Sequence, residues 1–258
     1  MFPIIVTLPN PFDGSFPIHT YGVLLALSFA AALYTTVTLA KASDISAEDI
    51  GDITLIALVS GLIGGRLLYV IVEWDQFQNE FASIIFRRDG FVFYGGLLLA
   101  IPATILMVRR KKLPIARTAD VIAPALALAH SIGRLGCFAQ GCCYGAPSDY
   151  GITFPADSPP SMRFGEVPVH PTQAYESISL LLLFGLLLFV KRRKFFDGSV
   201  FLAYMACYAV IRFAIERLRA DDRGFYLGEF SGSQLISIGM LAAASILYLR
   251  FKPSRASK

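Results

Sequence analysis

Residues 130–145 read His130-Ser-Ile-Gly133-Arg134-Leu-Gly136-Cys137-Phe138-Ala-Gln140-Gly141-Cys142-Cys143-Tyr144-Gly145. The run closes an apolar segment, yet it carries a guanidinium, three thiols and four glycines. A charge at membrane depth is costly unless it belongs to a site or to a paired structural feature. Arg134 suits a site for an anion, because its planar fork of donors matches phosphate and carboxylate oxygens. Glycines beside it let backbone amides approach the same anion. The thiols are harder to place. The spacing C-x4-C-C of Cys137, Cys142 and Cys143 matches no common zinc pattern, so no metal is expected. Free cysteines pack as small hydrophobes, and a pairing outside the membrane is the other reading. His130 precedes Cys137 by about two helical turns and could approach it. Cys207 reads as core.

Other polar residues interrupt apolar runs elsewhere. Arg66 sits in Gly64-Gly65-Arg66-Leu-Leu-Tyr69, and Tyr94-Gly95-Gly96 opens a further run. His170 and Glu176 flank the start of another, in His170-Pro171-Thr-Gln173-Ala-Tyr175-Glu176. Arg212 and Glu216 are four apart and share a helix face, so an internal pair is one reading of them. Asp120 reads as a helix cap.

The elements that must position these groups follow from composition. Of 258 residues, 55% are hydrophobic and 16% charged, with a mean hydropathy of +0.59. Soluble domains are about 45–50% apolar and about 25% charged. The chain is therefore expected to be an all-α integral membrane protein. A net charge of +4, widely spread, excludes a nucleic-acid partner as the expectation. A span needs roughly 20 mostly apolar residues. Seven candidates meet this, at about 21–40, 51–73, 93–109, 119–137, 173–190, 199–218 and 233–251. Residues 1–20 contain no Lys or Arg, so the first run is expected to be a retained span and not a secretory signal. No internal repeat is evident. The whole chain, 1–258, is expected to form one polytopic domain. Residues 142–172, rich in Pro, Gly, Ser and Asp, are expected to form a small head inserted between spans four and five.

Basic residues orient a membrane protein, with Lys and Arg kept cytoplasmic. Lys41, the run Arg109-Arg110-Lys111-Lys112 with Arg117, the run Lys191-Arg192-Arg193-Lys194, and Arg250, Lys252, Arg255 and Lys258 fall on one side of seven spans. The other side holds Arg87, Arg88, Arg163 and a few residues at the end of span six. The N-terminus and the head are then outside and the C-terminus inside. Arg134, Tyr94, His170 and Glu176 come to lie near the outer leaflet, with Arg66 and Arg212 toward the same side. Several cations at one depth point to an anionic head group.

The chain resembles the bacterial prolipoprotein diacylglyceryl transferases. The most specific element is Gly133-Arg134-Leu-Gly136-x-Phe138-x-x-Gly141-x-x-x-Gly145. Supporting matches are Tyr21-Gly22, Gly64-Gly65-Arg66 with Tyr69, Asp89-Gly90 before Gly95-Gly96, and Asp120-x-Ile122-Ala123-Pro124. His170-Pro171-x-Gln173-x-Tyr175-Glu176 and Arg212-Phe-x-x-x-Glu216-x-x-Arg219 follow. The resemblance implies transfer of the diacylglyceryl group of phosphatidylglycerol to the lipobox cysteine of prolipoprotein signal peptides, with a thioether formed and glycerol 1-phosphate released. It implies no metal or soluble cofactor, membrane lipids as surroundings, and a multi-pass protein of the bacterial inner membrane whose site faces the outer leaflet, with a periplasmic head.

By the same resemblance, Arg134 and Arg212 hold the lipid phosphate and stabilise the leaving group, with Tyr94 beside them. Tyr21, Gly22, Arg66, Gly95, Gly96, Gly133, Gly136, Gln140, Gly145, His170, Gln173, Tyr175, Glu176 and Glu216 line the substrate. This chain departs from the family where a histidine is common and Tyr94 stands. It departs again at Cys137 and Gln140, where the family often has Asn, and at Cys142, where it often has Glu. The departures remove an imidazole and a carboxylate, which leaves His170 and Glu176 as alternative proton handlers. Two other classes compete: a transporter or lipid-binding protein without chemistry, for which the paired repeats common in transporters are not seen, and a membrane thiol-redox protein using Cys142 and Cys143.

Overall fold

The computed structural model describes residues 4–8, 16–77, 90–193, 195–221 and 226–251. Seven of its helices are long and apolar enough to cross a membrane. They are α1 (Thr20–Lys41), α2 (Ala47–Val72), α3 (Phe93–Arg110), α4 (Ile115–Gln140), α6 (Thr172–Arg193), α7 (Ser199–Glu216) and α8 (Gly232–Phe251). A short helix, α5 (Pro159–Phe164), lies between α4 and α6. The seven-span, all-α reading agrees with this architecture. Large apolar side chains point outward: Ile71 is 67% exposed, and Leu98 and Leu182 are 71% exposed. Such faces need no cover in hydrocarbon, where each helix satisfies its own backbone.

Two boundaries differ from the apolar pattern. α2 starts at Ala47 because Ser46 caps it, accepting from the Asp49 amide at 3.0 Å. Glu48 and Asp49 fill the first turn, where the helix dipole favours them. α4 continues to Gln140, so Gly133, Arg134, Gly136 and Cys137 are all helical. Arg87, Arg88, Asp89, Lys194, Lys252, Arg255 and Lys258, used above for orientation or resemblance, lie outside the described residues.

The chain packs as two compact units, Thr36–Thr118 and the remainder. In the smaller unit, α2 lies on α3 through glycines. A Cβ on Gly95 would strike the Gly64 carbonyl and Leu68 Cβ, and one on Gly64 would lie 2.7 Å from Leu99 Cβ. Small residues let membrane helices bring their backbones this close. Lys111, just past α3, reaches Asp49 and Asp52 of α2 at 2.7 Å each. Its hydrogen bonds to Asp49 and Asp52 hold the ammonium above the ordinary lysine range.

In the larger unit, Ala123 and Ala127 of α4 pack with Leu180, Leu183 and Leu187 of α6 and Val200 of α7. Ser131 Oγ donates to the Ser177 carbonyl at 2.8 Å and Ser177 Oγ donates to the Ser131 carbonyl at 2.9 Å, which ties α4 to α6. Asp120 is a cap, but for another helix. Its carboxylate accepts from the amides of Gly198 and Phe201 at 2.7 and 2.9 Å and so caps α7, whose own N-cap residue, Gly198, has no side chain. Within 142–172, β3 (Pro147–Ile152) bridges to Val169, over a cluster of Tyr144, Phe154 and Val169. β1 (Ile4–Leu8) pairs antiparallel with β2 (Phe16–His19), and β4 (Tyr226–Leu227) with β5 (Phe230–Ser231).

Candidate functional site

Arg134 lies in the second half of α4, on a helix that Gly136 allows α1 to approach. A Cβ on Gly136 would lie 3.1 Å from Tyr21 Cδ2 and 3.6 Å from Leu24 Cβ. Cβ atoms on Gly22 and Gly133 would meet nothing within 4 Å. Gly145 is different: its amide donates to the His170 carbonyl at 2.9 Å, and a Cβ there would press on His170 and on the Leu218 carbonyl at 2.5–2.8 Å. That glycine seals the seam between the start of α6 and the end of α7.

The guanidinium of Arg134 meets α6 at Glu176, with Nε 3.0 Å from Oε2. The same oxygen is 3.8 Å from Arg212 Nη1 on α7. Arg212 Nη2 is 2.7 Å from Glu216 Oε2, the pair expected from their spacing, and donates to Ser233 Oγ at 3.0 Å. Ser231 Oγ donates to Glu216 Oε1 at 2.6 Å. Four helices thus share one buried network of alternating charge. Alternation matters because an uncompensated buried ion costs several kcal/mol. His130, four residues before Arg134, places Nε2 3.7 Å from Glu176 Oε1 and its ring edge-on to Tyr208 at 5.3 Å. Its part in this network was not read from the sequence, although the i, i+4 spacing to Arg134 was available.

The network is not closed. The side chains of Arg134 and Arg212 keep 14% and 13% exposure. Arg134 Nε meets Glu176 as an ion pair without hydrogen-bond geometry, and among the described residues its two terminal nitrogens make no hydrogen bond either. Arg212 Nη1 is buried without a hydrogen bond among the described residues. A guanidinium held through Nε presents its terminal fork to an incoming anion, the geometry that binds phosphate in a bidentate way.

The other expected residues divide. Gln173 Nε2 donates to the Cys142 carbonyl at 2.6 Å, which pins the turn after α4. His170 Nδ1 is 3.5 Å from the Tyr175 hydroxyl. Gln140 is exposed at the end of α4. Arg66, Tyr94, Gly95 and Gly96 belong to the smaller unit. There Arg66 donates to the Gly90 carbonyl at 3.2 Å and lies 5.5 Å from the Tyr69 ring centre. Gly95 and Gly96 face the α2 backbone, and Tyr94 is 47% exposed.

One cluster was not legible in the spacing. The sulfurs of Cys137, Cys142 and Cys143 all lie within 4.8 Å of one another. Gly141 at φ 76° and Cys143 at φ 64° turn the chain back on the end of α4, and no linear pattern announces that turn.

A family model described as prolipoprotein diacylglyceryl transferase matches residues 9–250. The phosphatidylglycerol–prolipoprotein diacylglyceryl transferase of Finegoldia magna is 36% identical over 234 residues, 90% of each chain. A Clostridium perfringens protein of the same name, numbered 2, is 35% identical over 90% of each chain. One from Dehalococcoides mccartyi is 32% identical over 95% of this chain and 94% of its own. With residues 9–250 matched in this way, the chain belongs to the prolipoprotein diacylglyceryl transferase family.

Proposed function

We propose that this protein transfers the diacylglyceryl group of phosphatidylglycerol to the lipobox cysteine of prolipoproteins. The names of its relatives carry both substrates. The observation that carries the reading to particular residues is the open fork of Arg134, set by Glu176 beside a second arginine. Arg134 and Arg212 receive the lipid phosphate. The sulfur lone pair of the deprotonated lipobox cysteine bonds to the glyceryl carbon, and the bond from that carbon to the phosphate oxygen breaks. Glycerol 1-phosphate leaves with the electron pair. Charge grows on the departing phosphate, and fixed guanidinium groups stabilise it without reorganising, a term that is often the largest in catalysis. Glu176 and Glu216 orient the arginines, and a 1 Å error in such placement can cost about 100-fold in rate. The protein works in the bacterial inner membrane, with the site open to the outer leaflet.

The test is lipid transfer by purified protein, with labelled phosphatidylglycerol and a lipobox peptide. Label is expected on the cysteine peptide and not on its serine counterpart. Arg134→Ala is expected to lower the rate by about 100-fold or more. Unchanged transfer by that variant sinks the assignment of the phosphate to Arg134.

A further inference from the structure

We propose that Cys137, Cys142 and Cys143 bind one zinc ion in a three-thiolate site whose fourth position takes the thiol of the acceptor peptide. The inference rests on the transferase reading and gives it the thiol activator that Tyr94 does not supply.

The sulfur geometry comes first. All three sulfurs lie within 4.8 Å of one another. Zinc–sulfur bonds of about 2.3 Å at a tetrahedral angle set sulfurs about 3.8 Å apart. Small side-chain rotations close that gap. The backbone is already committed to the cluster. Cys143 holds φ 64°, a left-handed conformation that L-residues rarely adopt. Thr172 Oγ1 donates to the Cys143 carbonyl and Gln173 Nε2 to the Cys142 carbonyl, at 2.6 Å each. The Cys142 amide donates to the Cys137 carbonyl at 3.2 Å. Filling a small apolar gap requires none of this.

Charge and access agree. Three thiolates on a divalent ion leave one negative charge. Arg134 stands one helical turn before Cys137 on α4 and brings a positive charge to the side of that negative one. All three cysteines are partly exposed. Among the described residues the cluster has no fourth His, Asp or Glu ligand. Structural zinc sites are closed with four protein ligands, whereas catalytic ones have three and an open position. Cys137 follows Arg134 by three residues on the same helix, so a metal-bound thiol and an arginine-bound phosphate are neighbours.

The step balances without a redox partner. The peptide thiol binds zinc and releases its proton to solvent, because the thiolate is the ligand. Its sulfur lone pair then forms the bond to the glyceryl carbon, and the phosphate oxygen takes the electrons of the broken bond. The neutral thioether is a weak ligand and departs.

The experiment uses the full chain, purified in detergent without chelator. Elemental analysis is expected to find about one zinc per chain, and none in Cys142→Ser. Cobalt(II) chloride added to zinc-stripped protein is expected to give a sulfur-to-cobalt charge-transfer band. A cysteine lipobox peptide then changes the ligand-field bands, and the serine peptide does not. Wild-type protein without zinc and without the cobalt band overturns the site, as does a disulfide among these cysteines in unreduced protein. Equal response to both peptides overturns the open position. If Cys142→Ser transfers lipid at the wild-type rate, this inference falls while the transferase reading stands. If cobalt reports the peptide but no lipid is transferred, the transferase reading falls while the metal site stands.

Discussion

Glu176 faces two guanidinium groups and an imidazole with one carboxylate. Glu176→Gln keeps the volume and removes the charge, leaving Arg134 and Arg212 near each other with only Glu216 to offset them. Breaking a buried ion network in this way costs about 3–5 kcal/mol. The variant is expected to melt at lower temperature in detergent and to transfer lipid at least about 100-fold more slowly, through misplaced arginines. Wild-type melting and rate together would show that the arginines need no such partner. Part of this was legible in the sequence: Arg212 and Glu216 pair as their spacing on one helix dictates. The convergence on Glu176 was not, because it depends on how α4, α6 and α7 stand side by side. The thiol cluster was hidden for a related reason. Spacing rules assume an ordinary backbone between ligands, and here the left-handed turn at Gly141 and Cys143 joins them.

At the scale of elements, the seven spans were readable because roughly 20 apolar residues announce a membrane helix whatever packs against it. Their ends were not, since caps and polar first turns lie outside an apolar window, as Ser46 shows for α2. What joins the helices is also specific. Gly64 and Gly95 touch across α2 and α3, so Gly95→Val forces the pair apart. Overpacking of this kind costs about 1–3 kcal/mol or more. Gly22→Ala serves as the contrast, with nothing within 4 Å of the added carbon. Thermal denaturation in detergent should show a clear loss for the first and a change within about 0.5 kcal/mol for the second. Asp120→Ala removes the cap of α7 and is expected to cost about 1–2 kcal/mol, with Asp120→Asn milder because its single amide oxygen still accepts from one of the two amides, Gly198 or Phe201. An equal cost for both variants would mean that the charge, and not the hydrogen bonds, holds α7 in place.

At the scale of the whole molecule, direction follows from the distribution of charge. If each of the seven spans crosses once, the ends of α1, α3 and α6 come out on one side and the end of α4 on the other. Lys41, Lys111, Lys112, Lys191, Arg192 and Arg193 all fall at the first set of ends. Residues 142–172 and the three thiols fall at the second. By the lysine and arginine bias, the first side is the one expected to be cytoplasmic. A protein that acts on exported precursors needs its site on the opposite side, so charge and chemistry demand the same orientation for independent reasons. Reporter fusions decide it. Alkaline phosphatase, which folds only outside the cytoplasm, is expected to be active when joined after Asp157 and inactive when joined after Arg193 or Arg250. Replacing Lys191, Arg192 and Arg193 with alanine should weaken that contrast without touching Arg134. Activity at Arg193 and none at Asp157 would put the arginines and the thiols on the cytoplasmic side, where secreted precursors have already left, and the proposed function would fall with the topology.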